Sequence, residues 1–211
     1  MKYEWRKKDK QYYLPKPKPE IIEIPKFNFL SIQGEGHPGG EGFSKSVEAL
    51  YSVSYGLKMT LKSKEGFYDY TVFPLEGEWD LNDEGKEMYL EGIPLTELKE
   101  HFKYKLMIRQ PDFVTKSIFE DIRSSVFAKK KSEFINELIL ETYQEGLSCQ
   151  LTHIGNYDNE PESFKIMDEF IKDNGYTRLT KGHREIYISD PRRVDEDKMK
   201  TVLRYLIKES E

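Results

Sequence analysis

Two stretches of this chain follow one plan, and that repetition limits the folds open to it more than any single motif does. Each begins with a β-favouring apolar run, breaks at a glycine, continues into a helix-spaced segment and ends in two short strand-like runs. The first passes from Glu20–Gln33 through Gly34 to a helical stripe from Ser44 to about Lys62 (Val47, Leu50, Leu57, Leu61), then to Phe67–Phe73 and Tyr104–Arg109. The second passes from Leu147–Ile154 through Gly155 to a helix that has Pro161 in its first turn and Gly175 at its end, then to Tyr176–Thr180 and Arg184–Ser189. Neither set buries its apolar face alone, so the pair implies one α+β domain of duplicated βαββ halves. The expected architecture is an antiparallel sheet with helices on one face and a ligand cleft on the other.

The remaining segments fit around this plan. Residues 1–19 end in Pro15-Lys16-Pro17-Lys18-Pro19, and alternating prolines hold an extended arm without amide donors. Trp5, Tyr12 and Tyr13 are costly to leave in water, so the arm has a reason to pack on the body. Pro25 marks an edge position or a bulge in the first strand. The loop Gly34–Gly40 lacks the Lys-Ser/Thr pair of a phosphate cradle and reads as a turn. Pro94–His101 reads as a short helix, Asp112–Gly146 as a helical connector and Val194 to about Lys208 as a final helix (Met199, Val202, Leu203, Leu206). The expected organisation is therefore an arm over 1–19 and a domain over 20–211. Its first half spans about 20–110, the connector 112–146, the second half 147–190 and the closing helix 194–208.

Composition excludes several classes. With 14 Tyr and 12 Phe beside 34% charged residues, the chain reads as a folded body with a charged surface. A net charge of −5 argues against nucleic acid as partner, since binding phosphates needs a basic face. A single cysteine, Cys149, permits no internal disulfide and suits a reducing cytoplasm. No apolar run is long enough for a membrane span. His37, His101, His153 and His183 show no metal-ligand spacing, so neither metal nor cofactor is expected. Cys149 lies in an apolar strand, where an inert core thiol is expected.

Alternation along Arg184–Ser189 puts Glu185, Tyr187 and Ser189 on one face and Ile186 and Ile188 on the other. With the isoleucines under the helices, Glu185 and Tyr187 face either solvent or a concave surface opposite. Aromatics on or near other strands (Phe27, Phe29, Tyr68, Tyr70, Trp79, Tyr104) would wall such a surface. A carboxylate between apolar walls attracts cations, accepts hydrogen bonds or acts as a general base.

The run Glu185-Ile-Tyr-Ile-Ser-Asp-Pro-Arg-Arg193 resembles the C-terminal signature of GyrI-like small-molecule-binding domains. Met1-Lys-Tyr-Glu-Trp-Arg-Lys-Lys-Asp-Lys10, Ala49-Leu-Tyr-Ser-Val-Ser-Tyr55, Pro74-Leu-Glu-Gly-Glu-Trp79 and Ile108-Arg-Gln-Pro-Asp-Phe113 are similar to the stand-alone branch of that family. The resemblance covers nearly the whole chain. It implies a small-molecule cleft between two βαββ halves and, for some stand-alone members, hydrolysis of the cyclopropane in DNA-alkylating compounds. In that reading Glu185 deprotonates the attacking water and Tyr187 or a neighbour donates to the developing phenolate. Trp79, Tyr55 and Tyr104 stack on the ligand, Phe29 adds to the aromatic wall, and Glu76 is a second carboxylate. Sequestration of aromatic or cationic compounds without turnover is the competing function, with docking on another protein such as gyrase behind it. The oligomeric state is not set by the sequence.

Overall fold

The computed structural model describes residues 2–210; Met1 and Glu211, the outermost positions of the expected arm and domain, lie outside the described residues. Two single-turn helices come first, α1 (Trp5–Lys8) and α2 (Lys10–Tyr13). The main elements are β1 (Glu20–Glu35), α3 (Glu41–Leu61), β2 (Leu75–Leu81), α4 (Asp83–Leu90), β3 (Phe102–Gln110) and α5 (Lys116–Lys130). They continue with β4 (Ile139–Ile154), α6 (Glu160–Asp173), β5 (Tyr176–Arg178), β6 (His183–Tyr187) and β7 (Lys200–Glu209).

All strand pairs are antiparallel. The order β4-β1-β3-β2-β6-β7 closes on itself through a β4–β7 pairing, which makes a six-stranded barrel with β5 added beside β7. Closure removes most of the unpaired edges that an open sheet leaves exposed. The pairings correspond in twos: β1–β3 matches β4–β7, and β2–β3 matches β6–β7.

Two layers of side chains follow from the pleat. Outside the barrel, Leu30, Ile32, Leu106 and Ile108 pack under Leu50, Val53 and Leu57 of α3. Cys149, Leu151, Leu203 and Tyr205 pack under Met167 and Ile171 of α6. Inside, the filling is partly ionic. Arg184 donates to Glu76 at 3.0 Å and Glu78 at 2.6 Å, and lies 3.5 Å from Glu145. Arg204 donates to Glu145 at 3.0 Å and to Gln150, and Phe29 lies under Arg184. The side chains of Arg184, Arg204, Glu76 and Glu145 are 4% exposed or less, so two cations and two anions cancel in a space with little water. Burial pushes the Glu76 carboxyl up, against the pull of Arg184 and Arg204.

Several sequence expectations change. Residues before Pro15 form helical turns, not an extended arm, and they stopper the barrel: Tyr13 donates to Glu76 at 3.1 Å, and carbonyls of Gln11, Tyr12 and Pro15 accept from Gln150, Arg204 and Thr152. Asp9 sits 3.4 Å from Arg109, whose guanidinium lies over Phe27. Phe67–Phe73 is not a strand but an irregular run with one bridge, Tyr3 to Tyr70. The strand follows it as β2. Pro94–His101 is two 3-10 turns. The connector 112–146 is α-helical only over Lys116–Lys130, after which Lys131 turns left-handed and Glu133–Ile135 makes a 3-10 turn, and Ile139 onward belongs to β4. Gly146, the last residue of that range, takes a positive φ of 81° within β4 and not at a helix end. The closing helix is a strand, β7, whose Val202 and Arg204 face the barrel interior while Thr201, Leu203 and Tyr205 face outward. With both faces buried the run shows no alternation, and its spacing mimics a helix. Strand structure therefore continues through Glu209, well past residue 190.

Pro25 occupies an edge-like position, since β1 pairs there only with β4, and its alternation changes phase: Ile24 and Phe27, three apart, join one cluster. Gly34 belongs to β1, not to the loop; a Cβ there would lie 2.5 Å from the Tyr104 hydroxyl, so only glycine fits.

Arg184→Met is expected to cost about 3–5 kcal/mol, because it leaves Glu76 buried without its cationic partner and takes one of two arginines from Glu145. Urea unfolding at pH 7 measures it, and a loss under about 1 kcal/mol contradicts the ionic account of the interior.

Candidate functional site

β2 and β6 are neighbours in register, with Gly77 opposite Glu185 and Trp79 opposite His183. Their alternation sends Glu76, Glu78 and Arg184 into the barrel, so Trp79, His183, Glu185 and Tyr187 emerge on the outer face. That face carries the helices. Glu185 therefore lies on the helical side, and the cleft opposite the helices expected from the sequence is instead the ion-filled interior.

A cleft of about 2000 Å³ runs along this face between α3 and α6. Tyr51 and Tyr55 of α3 line one side, Glu160 and Phe164 of α6 the other, and Trp79 and Glu185 the floor. Phe43 stacks on Trp79 with 5.8 Å between centroids and 22° between planes, and Tyr51 stacks on Tyr55 at 6.2 Å and 30°. These are flat apolar surfaces of the kind that hold a planar ring.

Glu185 is held from two directions. Tyr187 donates to its Oε2 at 2.8 Å, and His183 Nε2 lies 2.9 Å from its Oε1. Facing a carboxylate, that nitrogen carries the proton. Trp79 Nε1 donates to the Tyr187 hydroxyl at 2.9 Å, so a chain of hydrogen bonds runs from Trp79 through Tyr187 to Glu185. It crosses over Gly77, where a Cβ would stand 2.9 Å from Trp79 Nε1 and 3.2 Å from the Tyr187 hydroxyl. Burial and the Glu185 charge hold the Tyr187 phenol well above its usual value, so it keeps the proton it donates. Tyr157 packs edge-on against Tyr187 at 6.1 Å; burial and Glu185 push its phenol up to about 12.

Glu160 enters from the first turn of α6. It is 7% exposed, its Oε1 has no hydrogen-bond partner among the described residues, and it, His183 and Glu185 each place one ligand-type atom within 4.8 Å of the others. Burial first, and then the charge of Glu185, hold its carboxyl well above the usual range. The sequence expectation of no metal constellation considered spacing among histidines. This cluster joins one histidine to carboxylates on β6 and α6.

Of the residues expected at the site, Glu185, Tyr187, Trp79 and Tyr55 line the cleft. Tyr104 does not: it is 4% exposed beneath Phe43 and Trp79, 5.7 Å from the latter's ring, and supports it from below. Glu76 and Phe29 lie on the opposite face, inside the barrel with Arg184. Missed from the sequence were Glu160, His183, Phe43, Tyr51, Tyr157 and Phe164. The alternation that singled out Glu185 and Tyr187 also carries His183, so that residue was within reach. Tyr51, one helical turn before Tyr55, was within reach in the same way, and the others come from distant elements with no local pattern to mark them.

The profile of the GyrI-like small molecule binding domain matches residues 17–206. Among solved structures, an uncharacterized conserved protein from Listeria innocua is 33% identical over 98% of this chain and 100% of its own, with a TM-score of 0.88. A hydrolase from the same organism is 33% identical over 99% of this chain and 100% of its own, with a TM-score of 0.87. The C-terminal domain of EcmrR, 13% identical over 91% of this chain and 98% of its own with a TM-score of 0.53, shares the fold. No curated protein matches the chain. Among the described residues no helix is long and apolar enough to cross a membrane.

A carboxyl that holds its proton more tightly folded than unfolded favours the folded state at low pH. That advantage is lost as pH rises from the ordinary value near 4.5 through the raised folded value. Glu160→Gln, which removes the charge and keeps the shape, should therefore stabilise the protein at pH 7 by about 1 kcal/mol or more, with the gain vanishing near pH 4. Melting temperatures across that range measure it; a variant less stable than wild type at pH 7 contradicts the assignment.

Proposed function

The chain belongs to the GyrI-like small-molecule-binding domain family, and on that premise we propose that its cleft takes a flat aromatic compound and that Glu185 activates water against it. The observation that carries this reading is the Glu185 carboxylate, fixed by Tyr187 and His183 on the floor of an aromatic-walled cleft. The Listeria innocua hydrolase, similar over its whole length, adds support for turnover. We read the two β-α-β-β sets with their matching pairings as duplicated halves, with the ligand seated between the helices of each. We place the protein in the cytoplasm, in keeping with its lone free Cys149, and give it no nucleic-acid partner.

The substrate class we infer is a cyclopropane conjugated to a dienone, as in DNA-alkylating compounds. Water bonds to a ring carbon as one cyclopropane C–C bond breaks, and that electron pair passes through the dienone to the carbonyl oxygen. Glu185 takes the proton from the attacking water, and the phenolate is reprotonated from solvent. Tyr187 acts through Glu185, since its proton is already committed there, and is a positioning residue. Tyr157, whose hydroxyl donates to no protein group among the described residues, supplies the hydrogen bond to the developing oxyanion in its place. Trp79 and Tyr55 hold the flat rings, and Tyr104, Glu76 and Phe29 support the walls from behind.

The second reading is sequestration without chemistry. Glu160 beside Glu185 favours it for cationic aromatic compounds, which two carboxylates attract.

With a cyclopropanoid alkylator and mass-spectrometric detection, wild type should form the ring-opened product. Glu185→Gln should slow this by about 100-fold or more while still binding, the range expected on losing a general base. Unchanged turnover in that variant overturns the mechanism. Saturable binding by wild type with ligand recovered intact selects sequestration.

A further inference from the structure

We propose that Glu160, His183 and Glu185 form a binding site for one divalent transition-metal cation at the α6 end of the cleft. The three ligand-type atoms lie within 4.8 Å of one another, and the His183 and Glu185 atoms are 2.9 Å apart. An ion bound at about 2.0–2.2 Å to imidazole nitrogen and carboxylate oxygen holds neighbouring ligand atoms roughly 3–4 Å apart. The separations of up to 4.8 Å among the three atoms must therefore close by about 1 Å around an ion.

Three further features point to a cation. Glu160 Oε1 is buried without a hydrogen-bond partner among the described residues, and a buried carboxylate oxygen needs something to bond. Two carboxylates face each other beside His183, so a 2+ charge removes the repulsion between them. Tyr187 holds Glu185 by Oε2, the outer-shell hydrogen bond that fixes a metal-binding carboxylate, and an ion at Oε1 and His183 Nε2 takes the place of the proton those two atoms share. One imidazole and two carboxylates suit zinc or manganese and, with three protein ligands, leave a coordination position turned to the cleft. The site goes beyond the organic-ligand reading and does not depend on it.

The test uses full-length protein stripped with a chelator, titrated calorimetrically with Zn²⁺ and, separately, Mn²⁺ at neutral pH. One of these ions should bind one per chain, tighter than about 1 mM. Glu160→Gln and His183→Ala should each weaken it by about tenfold or more, the scale expected on losing a direct ligand. Glu160→Gln preserves side-chain shape, and circular dichroism checks that both variants fold; if one does not, the other decides. Absence of binding by both ions overturns the site. Binding unchanged in the variants also overturns it, assigning the ion to surface carboxylates. Neither result touches organic-ligand binding, which is measured separately.

Discussion

Arg184 fixes the register on which the cleft depends. Its guanidinium, 3% exposed, reaches Glu76 and Glu78 on β2 and approaches Glu145 on β4, which ties three strands across the barrel interior. A strand slipped by one residue would put Glu185 among those carboxylates and Arg184 on the outer face. That arrangement leaves like charges together in a space with little water, where repulsion is strong. The ionic interior therefore dictates that His183, Glu185 and Tyr187 point toward the helices.

The same constraint accounts for the N-terminal segment. A barrel filled with charged side chains needs its remaining donors met, and Arg204, Gln150 and Thr152 find carbonyls of Tyr12, Gln11 and Pro15. Tyr13 closes over Glu76 with an aromatic ring and a hydroxyl at once. The stopper keeps water from the interior, and the cleft is left to the outer face. Structural charge sits on one side of β2 and β6, and candidate chemistry on the other.

Much of this was legible in the sequence, and the misreadings share one origin. β1 and β3 stand out because they are rich in β-branched, aromatic and other large apolar residues, and α3 and α6 because their apolar residues recur at helical spacing. β2 does not stand out as a strand because Glu76, Gly77 and Glu78 have low strand propensity, yet both carboxylates meet Arg184 inside the barrel and Gly77 leaves room for the Trp79–Tyr187 hydrogen bond. β7 reads as a helix because a strand buried on both faces loses its period of two. The face of Glu185 was misjudged for a related reason: Ile186 is apolar but lies inside the barrel, paired opposite Glu76, so apolar character did not mark the helical side. Glu160 was invisible because nothing local distinguishes a functional glutamate in the first turn of a helix from one that favours the helix dipole.

The central claim is that ligand chemistry belongs to the outer face between α3 and α6. A crystal structure of the protein soaked with a planar aromatic compound tests it most directly. The account predicts the compound stacked on Trp79 with Tyr51 or Tyr55 at its edge, a polar atom within hydrogen-bond distance of Glu185, and the N-terminal stopper in place. A compound bound inside the barrel, with Tyr13 displaced from Glu76, would contradict it.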